Sequence, residues 1–510
     1  MAISVPMAKH FAMLIFPFRH GLSGKHSAAR LAKLSAMWGH WWSRFQEDGV
    51  AALLDDTFFF LPRVREWFFP ELRELPSNLS DPRVVEKAAE LAAQPLEHWG
   101  NVLASGNLLR LTLRREMLPP EGLVEVKSTY ESQERYRARV HWVDCLLFPH
   151  NVGMLACKVE LVGDGQLSTS QLNDFLFYAR QVQPMNLQWK LPVWVWGQAR
   201  AEARQWLDYL LQGLTDPPGN EDLVVDLAAF LAAKAQQKTT LGVAESQPFF
   251  DAFFRLVFAA VEGEGLQRVS FLANFPSSQD RLCYELVSCT DTDDPLYVPA
   301  REFVDRLLRE RSLALFENWR GVILDRGLGI VAPVAGDGDA VEMLSRNSEF
   351  DYCHLVFLGL FLRMRLATMF EETVMRERKL GRNVKEAKRL WAQLVDFENR
   401  YVFSEVTSKP IGNTIFRRYT QGLGLREIFD ELATKVTHAQ EYYEGVAAEN
   451  ITWLLNVLTF FAAPLGILAQ FFAPALVKEA SWGQFLLWLL LVYAVAFALW
   501  LLRRFRARKA

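Results

Sequence analysis

Two long apolar runs close the chain, and the pattern that leads into them organises the rest. Ile451–Val477 is 27 residues whose only clearly polar side chains are Thr452, Asn456, Thr459 and Gln470. Ser481–Leu502 is 22 residues with only Ser481 and Gln484 clearly polar. A bilayer core of about 30 Å needs roughly 20 apolar helical residues, so each run is long enough to cross once. The connection between them carries only Lys478 and Glu479 as charges, which predicts a tight helical hairpin. Upstream, Leu425, Ile428, Leu432, Val436, Ala439, Tyr443 and Val446 recur at intervals of 3 or 4. That spacing predicts a long stalk helix packed lengthwise on other helices and running into the first span.

The polar residues near the first span are not scattered. Glu449, Thr452, Asn456 and Thr459 follow at intervals of 3, 4 and 3, one face of a helix. Lipid leaves such a face unsatisfied, so it must meet water, protein or another polar group. In a symmetric oligomer it would line a central pore. The alternative is hydrogen-bonding between helices within one bundle.

Ahead of the stalk, alternation and turn signals predict a mixed α/β region. Met13–Phe18, Leu108–Leu113 and Leu191–Trp196 read as strands, as do Asp55–Pro62 and Arg281–Cys289. Arg139–Phe148 and Gly153–Leu161 read as a hairpin around Pro149–Val152, and Gly321–Leu324 with Gly329–Ala332 as a second one turning at Asp325-Arg326-Gly327. The two are expected in one sheet. Asp81–Trp99, Ser168–Val182, Leu223–Lys234, Val298–Arg309, Ser348–Glu372 and Val384–Tyr401 read as helices, the fifth capped by Asn347 or Ser348. Within it Cys353–Leu362 is apolar, but it is short and followed by Arg363 and Arg365, which predicts a buried helix and not a span. Pro217–Asn220 and Ala335–Ala340 read as linkers, and Lys409–Asn413 as a break. The expected organisation is an α/β domain over 1–345, a helical hairpin over 346–412, a stalk over 413–450, spans at 451–477 and 481–502, and a basic tail over 503–510.

Charge orients the hairpin. Residues 503–509 hold five basic side chains and no acid, and such a flank favours the cytoplasm. Both termini are therefore expected on the cytoplasmic side of the inner membrane. A formal net charge of −3 gives no support to a nucleic-acid partner. The five cysteines form no CxxC pair and read as reduced, buried thiols. The N-terminal 21 residues lack a signal-peptide pattern, so insertion is expected to rely on the hairpin. The turn at Gly24-Lys25 before a helix suggests a P-loop, but Arg19 stands where the first glycine belongs and His26 where Ser or Thr belongs. An anion at that helix start stays open. No triad, zinc motif or acid pair points to an enzyme. Asp291–Asp294 could hold a cation but reads better as an exposed acidic loop, and His141, His150 and His354 as dispersed structural residues.

With these elements in place, the chain resembles the CorA-type divalent cation channel family. The likeness is architectural over most of its length, and closest in sequence at Pro464-Leu465-Gly466-Ile467-Leu468-Ala469, which is similar to a Pro-Leu-x-x-Ile-Ala run near the end of the family's first span. Aligned there, the family's Gly-Met-Asn pore-mouth signature falls on Ala473-Pro474-Ala475 and is absent, with Gln470 the nearest polar substitute. The resemblance implies a homopentamer with a funnel-shaped cytoplasmic domain, carrying a divalent cation such as Mg²⁺. The lost signature and large cytoplasmic part also suit a channel opened by a small anionic ligand. Some CorA-like proteins serve as membrane effectors of type III CRISPR antiviral defence and respond to a nucleotide second messenger, and the chain resembles a member of that group. An anchored scaffold or enzyme without transport is the third alternative.

Overall fold

The computed structural model describes residues 5–19, 42–43, 59–68, 70, 86, 107–118, 122–127, 135–179, 193–195, 254–262, 274–292, 294–334, 338–380, 384–438, 441, 451–456 and 459. It shows a mixed α/β domain built on one sheet. Strand β1 (Met7–Arg19) lies inside it, between β6 (Val152–Val162) and β8 (Phe254–Glu262). The order runs β2 (Trp42–Ser43), β3 (Leu109–Leu113), β5 (Arg135–Leu147), β6, β1, β8, β11 (Gly327–Val334), β10 (Arg320–Leu324), β9 (Ser312–Leu313). Strand β4 (Leu123–Lys127) pairs with β5 and with β7 (Val193–Val195). Among the described strands only β8 and β11 pair in parallel. Both faces of the middle strands are covered: residues 10–18 of β1 and 254–261 of β8 are all buried, as continuous apolar runs require.

The two expected hairpins belong to this one sheet. In the first, His150 and Asn151 both take φ 64°, a left-handed conformation that Asn tolerates better than His. The Phe148 N–H closes the turn on the Val152 carbonyl at 2.8 Å. Gly153 follows because a Cβ there would lie 2.5 Å from the Phe18 ring on β1. In the second hairpin, a Cβ at Gly329 would lie 2.5 Å from Val287 Cγ2 and 3.0 Å from the Cys283 carbonyl oxygen. Each glycine lets a neighbour press onto the sheet.

Several elements differ from the sequence expectation, each for a local reason. Phe60 makes only an isolated bridge to Thr407, and Pro62 then opens helix α1 (Pro62–Phe68), a first-turn position that needs no backbone donor. Helix α2 (Thr169–Ala179) lies where a helix was expected. Arg281–Cys289 is not a strand: it belongs to helix α3 (Ser278–Ser288). Its buried Leu282, Cys283, Leu286 and Val287 share one helical face. The Ser277 side chain accepts from the Asp280 N–H at 3.1 Å, and Cys289 ends the helix at φ 53°. Ser277→Ala is expected to cost about 1 kcal/mol, the usual worth of such a cap, read from the midpoint of chemical denaturation. Strand β8 was not anticipated, because its continuous apolar run has no alternation to betray it.

Helix α4 (Arg301–Arg311) precedes β9. Helix α5 (Gly338–Asn347) begins inside the stretch expected as a linker. Asn347 has helical φ −60° and ψ −36° and caps nothing. A π-helical turn at Ser348–Tyr352 carries the helix on into α6 (Cys353–Leu380). Among the described residues, one helical stretch, Gly338–Thr373, is long and apolar enough to cross a membrane, and 83% of its most apolar window is buried within the protein. Residues 353–362 are thus core. Phe361 stacks on Phe148 with centroids 4.9 Å apart and meets Trp67 and Tyr401 at 5.1 and 5.3 Å. Helix α7 (Val384–Tyr401) has the expected bounds. Pro410 opens helix α8 (Pro410–Gly422) where a break was expected. Gly424 (φ 65°) precedes helical residues 425–438.

The chain divides into two compact units, Met1–Glu371 with Phe397–Asp430, and Glu372–Asp396 with Glu431–Ala510. The sheet belongs to the first. In the second, Leu390, Leu394, Leu432 and Val436 are buried.

Candidate functional site

Three of the residues singled out from sequence lie on described helix. Thr452, Asn456 and Thr459 are helical and exposed, and spacings of 4 and 3 put them on one face. The apolar side chains beside them are bare as well: Ile451 is 61% exposed, Leu454 58% and Leu455 56%. Together Ile451, Leu454 and Leu455 make an exposed apolar strip. Glu449, Gln470, Ala473, Pro474 and Ala475 lie outside the described residues, as do the second span and the basic tail.

The acidic loop does not gather a metal site from the described residues, among which no group of three His, Cys, Asp or Glu comes together. Thr292 is buried and its hydroxyl donates to Glu285. Asp294 accepts the Leu296 N–H at 2.9 Å, closing a local turn. The histidines are dispersed. His141 sits 2.8 Å from Glu160, and that hydrogen bond is the main reason the Glu160 carboxyl is held below its usual range. The five thiols are buried and free, and burial pushes those of Cys145 and Cys157 up, out of reach of neutral-pH chemistry.

His354 belongs to a buried polar cluster on β3, β5 and α6. Arg110 Nε donates to Asp144 Oδ2 at 2.7 Å, and its Nη2 lies 2.5 Å from the same oxygen. Thr112 Oγ1 donates to Asp144 Oδ1 at 2.8 Å. His354 Nδ1 lies 2.6 Å from the Phe350 carbonyl and so carries the proton. Its Nε2, 3.4 Å from Arg110 Nη1, is left to accept. Burial first, and then the Arg110 charge, bring the His354 pKa down to about 3. An imidazole neutral at physiological pH, edged by the rings of Phe60, Phe68 and Phe357, is a structural bracket.

One concave feature of the described residues went unseen in the sequence. A groove of about 780 Å³ opens between α3, α4 and the β10–β11 turn. Tyr284, Val287 and Ser288 come from α3; Phe303, Arg306, Leu307, Glu310 and Arg311 from α4; Arg255 from β8; Leu324, Asp325 and Arg326 from the turn. Four arginines against two acids leave the lining at +2. Arg255 is 2% exposed and donates to the Val287 carbonyl and, at 2.7 Å, to Cys289 Sγ, a cation at the end of α3 where the helix dipole favours one. Arg311 bridges to Asp325 at 2.6 Å. Behind the groove, Arg418 of α8 donates to the Arg309 and Glu310 carbonyls at 2.9 and 3.2 Å. These arginines are far apart in sequence. The crossover from β8 to the parallel β11 brings them together, and the only sequence signal was the density of arginine in Arg301–Arg311 and at Asp325-Arg326. No protein-family model matches the chain, and no curated protein matches it in sequence.

Proposed function

We propose that the chain is one subunit of an oligomeric, CorA-like channel or transporter for divalent cations, Mg²⁺ foremost, in the inner membrane with both termini cytoplasmic. The observation that carries this is the helical face Thr452–Asn456–Thr459 set among bare Ile451, Leu454 and Leu455. Such a segment suits a helix that meets lipid or a neighbour on one side and water on the other. Mg²⁺ sheds its water reluctantly. Neutral hydroxyl and amide oxygens that touch its hydration shell suit its passage better than a tight cage does. Glu449 would stand at the cytoplasmic approach, and Gln470 near a mouth formed by Ala473, Pro474 and Ala475. A homopentamer is proposed on resemblance alone.

Reconstituted in proteoliposomes, the protein is expected to pass Mg²⁺, and Asn456→Leu to cut the flux about tenfold or more, because an apolar ring dewets a narrow pore. The proposal is wrong if Mg²⁺, Zn²⁺, Co²⁺ and Ni²⁺ all stay outside and Asn456→Leu changes nothing.

A second reading is favoured by the basic groove. In it the channel is a membrane effector opened by an anionic nucleotide messenger, as in type III CRISPR defence. A gene neighbourhood without type III CRISPR components would count against that setting.

A further inference from the structure

We propose that the groove between α3, α4 and the β10–β11 turn is a binding site for a phosphorylated small molecule that carries a flat ring. The proposal rests on the ligand-gated reading for its purpose, but not for its test, because equilibrium binding is measured without ion flux.

The arginines divide by how they are held. Arg255 and Arg311 are committed to protein acceptors and act as a fixed positive floor and wall. Arg306 and Arg326 are exposed, line the same groove from opposite sides, and donate to no acceptor among the described residues. Planar guanidinium groups that line one groove with their donors unspent suit the oxygens of a phosphate.

Charge alone would accept any anion. The aromatic lip narrows the choice. Phe303 is 37% exposed on α4 and stands edge-on to Tyr284, with centroids 6.3 Å apart. A bare ring beside cationic side chains suits stacking by a flat π-system. The volume of about 780 Å³ is within the usual span for small-molecule sites and far more than a lone phosphate needs. A phosphate joined to a flat ring is the chemistry of a nucleotide.

Full-length protein in nanodiscs is titrated calorimetrically with AMP, ribose 5-phosphate and inorganic phosphate at one ionic strength. AMP is expected to bind saturably and about tenfold more tightly than ribose 5-phosphate, a difference within the reach of one stacked ring. Arg306→Gln and Arg326→Gln are each expected to weaken AMP about tenfold, the scale of one charge-assisted contact. Phe303→Leu should bring AMP down to the level of ribose 5-phosphate and leave ribose 5-phosphate unmoved. All three side chains are exposed, and unchanged circular dichroism confirms that the variants fold. The proposal is overturned if AMP binds no better than ribose 5-phosphate, or if both arginine variants bind AMP like the parent. It is also overturned if binding follows only the anionic lipid content of the nanodisc, which would make the groove a headgroup contact. Loss of Mg²⁺ flux with intact AMP binding would sink the channel reading and leave the site standing.

Discussion

Asp144→Ala is expected to destabilise the first compact unit by about 3 kcal/mol, the low end of the cost of stranding one partner of a buried ion pair, because Arg110 is only part-buried. Asp144 is 1% exposed and takes every nearby donor: two nitrogens of Arg110 and the hydroxyl of Thr112. With it gone, the Arg110 guanidinium loses its carboxylate partner and is left beside the lone pair of neutral His354. Chemical denaturation of the variant against the parent measures the loss. Replacing the pair together, Arg110→Met with Asp144→Leu, should lose less than the single change, because apolar side chains of similar size leave no buried charge behind. A single variant within about 1 kcal/mol of the parent would show that water reaches the cluster and screens it.

The same cluster makes the fold sensitive to acid, with a definite sign. In the unfolded chain His354 takes up a proton below about pH 6.5. In the folded chain it does so only near pH 3. Between those values the unfolded state binds the extra proton, so this group favours unfolding as the pH falls. Its contribution is fully present above pH 6.5, and stability drops by about 1.4 kcal/mol per pH unit below it. His354→Gln removes the titration while keeping a donor for the Phe350 carbonyl. The slope of unfolding free energy against pH from 6 to 4 is therefore expected to be shallower in the variant by one proton. Equal slopes would mean that the imidazole titrates normally. His10, which burial also pushes down, is present in both proteins and cancels.

Much of the sheet could be read from residue order, and the reasons for the rest are specific. Strands β5 and β6 announce themselves through β-rich runs on either side of Pro149-His150-Asn151, and β10 and β11 through Asp325-Arg326-Gly327. Helix α3 misled because Leu282, Cys283, Leu286 and Val287 are also apt strand residues. The Ser277 cap and the helical spacing of the buried set decide it. Strand β8 hid because full burial removes the alternation that marks a half-exposed strand. The groove was illegible for another reason. Arg255, Arg306 and Arg326 become neighbours only through the crossover, and no local pattern encodes a crossover. The polar face was legible because Thr452, Asn456 and Thr459 sit within two helical turns of one another.

The placement of β1 bears on how the protein must be made. Its one edge pairs with β6, which ends at Val162, and its other with β8, which ends at Glu262. At a synthesis rate of about 5–20 residues per second, the emerging chain holds that second edge open for roughly 5–20 s. The open edge is apolar, with Phe11, Met13 and Ile15 along it, the type of edge on which another chain can pair. Strand β8 in turn is covered only once β11 has left the ribosome at Val334. An expression boundary drawn before Val334 would cut this sheet through its middle, so the shortest workable fragment of the sheet domain has to reach past it.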